Sequence, residues 1–207
     1  MDDVRGPGRP DPEEIARRGL RVVEKGRAGF LPWPGVRARL AARDVDAGVG
    51  AVVMISGGRE PLAFFCLYEL GAAGWRSLGA GSMPAQRGFF RGRPSAARSG
   101  PACLVAGCGA SVSRSQGWPG GDPGAGRPDP GWVAGEVFRV AAEVERVAAG
   151  GRTILVPAHG YVVVAWRSSS SFASSSRPVI SCLDRTGAIL AGLGPGEHVD
   201  SGTLAGL

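Results

Sequence analysis

The sequence predicts a mainly β protein, in which an antiparallel meander and a small β-sandwich-like module follow one N-terminal helix at about residues 12–25. Two observations carry this prediction. Apolar runs rich in β-branched and aromatic residues recur along the chain, and each is bounded by Gly, Pro, Asp or Ser. That pattern is typical of short strands joined by turns. A single amphipathic segment near the N-terminus carries a helix start signal instead.

Composition indicates an ordered part and a low-complexity part. The chain has 207 residues, 43% of them hydrophobic, which is enough for a core. Its 35 Gly and 16 Pro residues make up about a quarter of the chain, close to the level (about 25–30%) at which low-complexity segments appear. We therefore expect four regions: a disordered segment at 1–10, the helix and meander at 11–82, a Gly/Pro/Arg-rich linker or long loop at 83–131, and the β module at 132–207.

The helix prediction depends on its first turn. Asp11 suits the N-cap, Pro12 the first helical position, and Glu14 the third, which completes a capping-box-like arrangement. An apolar stripe follows, and Gly26 is placed to end the helix.

The meander is expected at three apolar runs, 52–55, 62–70 and 75–79, which are separated by Gly-rich turns. Residues 36–43 fit either a short strand or a turn of helix. One further strand is expected near 102–107, within the linker region.

Two hairpins are expected in the C-terminal module. Residues 152–156 and 161–166 would pair across the turn that begins at Pro157. Residues 179–183 and 188–190 would pair across Asp184 to Gly187, where Asp bonds its own backbone and Gly supplies a positive φ. A short final strand is expected around 203–207.

Residues 132–149 fit two structures. Their valines follow a helical stripe, yet Phe138, Val140 and Val144 also alternate with charged residues, as in a strand. A resemblance favours the strand, at about 136–143. Residues 132–192 resemble a small β-sandwich module of high-GC bacterial proteins that has no assigned function. The matching residues are Gly135 to Val140, Gly151-Arg152, Val156-Pro157, Gly160-Tyr161, Trp166, Pro178-Val179 and Leu183 to Gly187. The resemblance implies turn and core positions and no activity.

The basic charge is weak evidence for a nucleic-acid partner. The net charge is +6 and the pI is about 9.9, but Lys25 is the only lysine among the 24 basic residues. Arg, Ala, Gly and Pro share GC-rich codons, so genome composition explains much of the balance. The alternative of nucleic-acid binding would use the Gly, aromatic and Arg alternation of 87–93, with phosphate contacts from Arg87, Arg91 and Arg93.

Cysteine usage and apolar runs indicate a cytoplasmic protein. Cys66, Cys103, Cys108 and Cys182 form no CxxC pair, and a reducing compartment keeps such thiols free. Whether Cys103 and Cys108 pair is left open. The N-terminus lacks secretory-signal features, and no run of about 18 apolar residues could span a membrane. No metal site and no cofactor are expected.

A catalytic role has one candidate. His159 could meet Asp184 and act in a hydrolase, with His198 as a further histidine, but the chain has no Gly-x-Ser-x-Gly elbow. A solvated turn histidine is the preferred interpretation of His159.

We therefore expect a non-catalytic β-rich protein that binds another protein or a small ligand through its loops. The binding surface would use Arg59, His159, Tyr161 and Trp166 together with the serine-rich loop that begins at Ser168. The oligomeric state is left open.

Overall fold

The structure, a computed structural model, describes residues 11–25, 31–33, 36–56, 61–85, 92, 93, 95, 104–114, 131–168 and 176–197. Several predictions fall outside these residues: the disorder of 1–10, the strand at 203–207, and the roles of Arg59, Arg87, Arg91, Cys103 and His198.

The described chain forms one helix and twelve strands. In chain order they are α1 (Pro12–Lys25), β1 (Leu31–Trp33), β2 (Val36–Asp46), β3 (Val49–Ser56), β4 (Leu62–Gly71), β5 (Gly74–Pro84), β6 (Leu104–Arg114), β7 (Trp132–Val140), β8 (Arg146–Ala149), β9 (Arg152–Leu155), β10 (Tyr161–Ser168), β11 (Ile180–Leu183) and β12 (Ile189–Leu193). The fold is mainly β with an N-terminal helix, which confirms the predicted fold class.

The strands form three antiparallel sheets. Sheet A has the order β1-β2-β3-β4-β5, sheet B the order β10-β7-β6, and sheet C the order β12-β11-β8-β9. The meander predicted at 52–55, 62–70 and 75–79 is confirmed as β3, β4 and β5 of sheet A. Residues 36–43 are part of strand β2 rather than a turn of helix.

Three hydrophobic clusters stack these elements in four layers. The first cluster lies between α1 and sheet A and includes Ile15, Met54 and Phe64. The second lies between sheets A and B, the third between sheets B and C. Strand β3 is buried at every position because its two faces belong to different clusters. The cluster between sheets A and B contains residues from both 11–82 and 132–207, so these two regions share a core.

The helix forms where the sequence predicts it. The Glu13 N–H donates to Asp11 Oδ1 at 3.1 Å, and the Ile15 N–H donates to the Asp11 carbonyl at 3.0 Å. Asp11 is therefore the N-cap. Within the described residues no helix is long and apolar enough to cross a bilayer, and α1 has only 14 residues.

The first predicted C-terminal hairpin is wrong. β9 pairs with β8, while β10 pairs with β7 in another sheet. Gly150 and Gly151 both have positive φ, 56° and 81°, which is the geometry of a tight two-residue hairpin turn. This turn closes β8 onto β9, whereas Pro157 lacks an N–H and leads the chain across to sheet B.

The second predicted hairpin and the predicted strand at 136–143 are confirmed with changed boundaries. The hairpin of β11 and β12 is confirmed around Asp184 to Gly187. The predicted strand at 136–143 exists but ends at Val140 as β7, because the chain turns at 142–143 before β8. β6 extends the strand expected near 102–107 to Arg114 and pairs along β7.

Ion pairs of Arg152 connect sheet A to sheet C, and a hydrogen bond between Asp44 and Ala165 connects sheet A to sheet B. Arg152 of β9 donates to Asp44 Oδ1 at 3.1 Å and to Asp46 Oδ2 at 2.8 Å, and its guanidinium also donates to the Ala165 carbonyl. Asp44 accepts from the Ala165 N–H at 2.7 Å. The N–H and C=O of Ala165 point to the side of β10 where no described strand pairs. They are bonded there by the side chains of Asp44 and Arg152.

Candidate functional site

His159 is held in the turn that precedes β10. Its Nδ1 accepts a hydrogen bond from the Tyr161 N–H at 3.1 Å. Burial lowers the pKa of His159; a backbone hydrogen bond with Ala41 opposes this, while the nearby Arg139 and Arg93 lower the pKa further. The neutral imidazole is therefore favoured, and its Nδ1 is used for the turn.

The lowered pKa of His159 predicts acid sensitivity. The unfolded chain protonates His159 more readily than the folded protein, so the free energy of unfolding should fall as pH drops below about 6.5. We expect H159N, whose amide oxygen can still accept from Tyr161, to lose part of this dependence. Urea unfolding at about pH 7.5 and about pH 5 measures it, and H198N is the control. If the free energy of unfolding of H159N fell between the two pH values by as much as that of the wild type, the prediction would be wrong.

Asp184, the proposed partner of His159, is used by its own turn. Its Oδ1 accepts from the Thr186 N–H at 2.8 Å, from the Thr186 hydroxyl at 2.7 Å and from the Ala188 N–H at 2.9 Å. The Thr186 hydroxyl, with the backbone donors, lowers the pKa of this exposed carboxyl. Both candidate catalytic groups therefore have local structural partners, and their geometry gives the hydrolase alternative no support.

Arg93, the described member of the proposed nucleic-acid segment, binds the protein itself. Its guanidinium donates to the Ala141 carbonyl at 3.3 Å and to the Val144 carbonyl, and lies 3.7 Å from a Glu145 carboxylate oxygen. Its side chain is 13% exposed. These contacts occupy the group that would otherwise face a phosphate.

Two aromatic residues of the predicted binding surface lie in the core. Tyr161 packs between sheets A and B, and Trp166 between sheets B and C. The Arg139 guanidinium lies 5.4 Å from the centre of the Tyr161 ring, a cation–π distance. Their role in binding stays a prediction, but a ligand on the surface would not reach either ring.

The described cysteines and carboxylates do not form a reactive or metal-binding group. Cys66 and Cys182 are buried, and burial raises the pKa of the Cys66 thiol to about 11, which opposes a nucleophilic thiolate. Over the described ranges, no three His, Cys, Asp or Glu side chains are grouped as metal ligands would be.

An open groove lies between α1 and β5. It encloses about 550 Å³ and is lined by four helix residues and four consecutive strand residues, which are Glu13, Ala16, Arg17 and Leu20, and Ser77, Leu78, Gly79 and Ala80. The helix residues follow the spacing i, i+3, i+4, i+7, so they form one stripe of α1. This stripe lies beside the stripe of Ile15, Val22 and Val23 that packs on sheet A.

One wall of the groove is an edge strand. β5 is the last strand of sheet A, and the Ala85 N–H donates to the Pro61 carbonyl at 2.7 Å. Along an antiparallel ladder, every second residue bonds the neighbouring strand through its N–H and C=O groups. Counted back from Ala85, these residues are Met83, Gly81 and Gly79, whose backbone groups point toward β4. Ala80 and Ser82 consequently direct their N–H and C=O groups to the side of β5 where no described strand pairs.

Small residues leave space along this edge. Ser77, Gly79, Gly81 and Ser82 are exposed, and a Cβ placed on Gly81 would meet no atom of the described structure within 4 Å. A backbone can therefore approach β5 closely.

The groove was missed in the sequence. The helix stripe is visible there as Glu13, Ala16, Arg17 and Leu20, but it indicates only a partly apolar face. The position of β5 at the edge of its sheet depends on the strand order, which no local pattern specifies.

Comparisons of the chain with protein-family models, with curated proteins and with solved structures gave no match. The resemblance of residues 132–192 to a β-module of high-GC bacterial proteins therefore stays a prediction.

Proposed function

We propose that this protein is a non-catalytic binding protein that holds an extended peptide segment of another protein in the groove between α1 and β5. The observation that carries the proposal is the open edge of β5 beside the helix stripe. An extended peptide can add a strand to such an edge, where main-chain hydrogen bonds provide affinity and pockets for alternate side chains provide specificity.

The chemistry of the groove supports a peptide over a compact small molecule. The backbone donors and acceptors of Ala80 and Ser82 face no strand among the described residues and recur with a spacing of two residues, a row that another strand satisfies. The helix stripe adds side-chain contacts above the strand. Ala16 and Leu20 offer apolar surface, while Glu13 and Arg17 provide charge at the rim.

Catalysis has less support. His159 and Asp184 are used by separate turns, and the thiol of Cys66 is buried with a raised pKa. Nucleic-acid binding also has less support, because the Arg93 guanidinium is bonded to backbone carbonyls of the protein itself.

The test uses a proline at the open edge. A random linear peptide library is selected against the full chain, and binding of the selected peptides is measured by fluorescence polarisation. We expect S82P to weaken binding by about tenfold or more, because it removes an outward N–H and places a ring where the peptide backbone would lie. The exposed Ser82 side chain does not contribute to the core, so the fold should persist.

A matched proline variant controls for general effects. Thr153 is exposed on β9, one of the two edge strands of sheet C. The Val156 N–H donates to the Glu145 carbonyl, so the backbone groups of Val156 and of every second residue before it point toward β8. Thr153 lies between these positions, and its N–H points away from the sheet, as that of Ser82 does. T153P should leave peptide binding unchanged. Equal binding by wild type and S82P, with both proteins folded by circular dichroism, would overturn the proposal.

A further inference from the structure

The charges around the groove are unequally paired. Arg17 Nε donates to Glu14 Oε2 at 2.7 Å, and Arg18 also pairs with Glu14. The hydrogen bond from Arg17, together with that from Arg18, lowers the pKa of Glu14. Within the described residues the exposed Glu13 carboxylate has no ion-pair partner and no side-chain hydrogen bond. Arg17 and Arg18 share the single Glu14 carboxylate, so the four charges balance, and Glu13 is the member of the described set whose carboxylate is left for a ligand to pair with.

The helix and strand walls match in length. Glu13 to Leu20 covers seven helical steps, about 10 Å at ~1.5 Å per residue. Ser77 to Ala80 covers three strand steps, also about 10 Å at ~3.3 Å per residue. The same eight residues line a single groove, so a sixth strand added to sheet A at β5 would pass beside the helix stripe.

This geometry spaces two side-chain subsites. The apolar surface of Ala16 and Leu20 is centred about five helical residues from Glu13, roughly 7.5 Å along the axis. Two strand residues cover about 6.6 Å, and side chains two positions apart point to the same face. An added strand can thus place one side chain against Ala16 and Leu20 and the next on that face near Glu13.

We infer that the groove selects extended peptides in which an apolar residue and a Lys or Arg lie two positions apart. The apolar side chain contacts Ala16 and Leu20, and the basic side chain pairs with the Glu13 carboxylate. This inference rests on the proposed function and specifies the class of peptide that the same site binds.

Charge reversal tests the inference. Peptides obtained from the random library are resynthesised with Lys, Ala or Glu at the position two residues from the apolar anchor. For the wild type we expect the Lys peptide to bind about fivefold more tightly than the Glu peptide, the scale of an exposed ion pair. E13K should reverse this order and leave the requirement for the apolar anchor unchanged.

The control is E24K, which makes the same charge change on the same helix. Glu24 is exposed and does not line the groove, so its reversal should preserve the preference for Lys. Raising the salt concentration should reduce the preference of the wild type, as expected for an exposed pair.

The outcomes separate the two claims. If selected peptides lose affinity on S82P but show no preference for Lys, or if E13K does not change the order, the inference fails while peptide binding at β5 stands. If no peptide is selected, or if S82P has no effect, the proposed function fails. A dimer of the free protein that S82P dissociates, detected by analytical ultracentrifugation, would assign the edge to a second copy and overturn both.

Discussion

Replacing Arg152 with methionine should lower the free energy of unfolding by about 3–5 kcal/mol, the cost of removing one partner of a buried ion pair. Arg152 and Asp44 are 17% and 4% exposed in their side chains. Without the guanidinium, the Asp44 carboxylate is left buried with the Ala165 N–H as its remaining donor, and the Ala165 carbonyl loses its partner. Guanidinium chloride unfolding measures the change.

Arg146 is the matched control for R152M. It lies on β8, the strand next to β9, and donates one hydrogen bond, to the Arg185 carbonyl at 3.2 Å. R146M should change stability by about 1 kcal/mol or less, as expected for one exposed hydrogen bond. If R146M and R152M lowered the free energy of unfolding equally, the contacts of Arg152 with sheet A would not be what stabilises the stacked layers.

The second large effect is expected where α1 crosses β4. Gly19 packs on Tyr68 so closely that an added Cβ would lie 2.0 Å from Tyr68 Oη and 3.2 Å from Met54 Cε. The same hydroxyl donates to the Ala16 carbonyl at 2.9 Å. G19A should therefore destabilise the protein by about 1–3 kcal/mol through overpacking, despite the gain of about 1 kcal/mol in helix propensity.

A double-mutant cycle isolates this contact. Y68F alone removes one hydrogen bond and should cost about 0.5–1.5 kcal/mol. In the Y68F background the atom closest to the new Cβ is gone, so G19A should cost far less than in the wild type, and the helix propensity gain should become measurable. Additive losses would contradict the packing described for α1. Because G19A moves α1 from sheet A, it should also weaken peptide binding in the groove.

Local signals in the sequence predict much of the fold. The Asp11-Pro12 start predicts α1, and Asp184 with Gly187 predicts the last hairpin, because each signal acts through bonds to its own neighbouring backbone. The meander is predictable because its apolar runs are adjacent in the chain and separated by short turns.

Strand partners outside adjacent hairpins could not be predicted. β10 leaves its neighbour β9 and pairs with β7, a choice that depends on which strand can be buried on both faces. The charged residues of the interior were also missed. Arg177 is fully buried and pairs with Glu136 at 2.9 Å, and Arg152 reaches carboxylates more than 100 positions away. Such partners follow from the stacking of the sheets.

The groove could not be predicted for the same reason. Glu13 and Leu20 are visible as part of an amphipathic helix, but nothing local indicates that their stripe borders an edge strand. Conversely, Tyr161 and Trp166 suggest a binding surface because they are aromatic, whereas the stacking of three sheets buries both.

Amide hydrogen exchange at Ala80 and Ser82 distinguishes a peptide that pairs with the edge of β5 from one that binds elsewhere on the protein. In the free protein both amides should exchange rapidly, while the Gly81 amide, which faces β4, should be protected. Adding a selected peptide should slow exchange at Ala80 and Ser82. Unchanged exchange at these two amides in a saturated complex, with new protection elsewhere, would show that the peptide does not pair with β5.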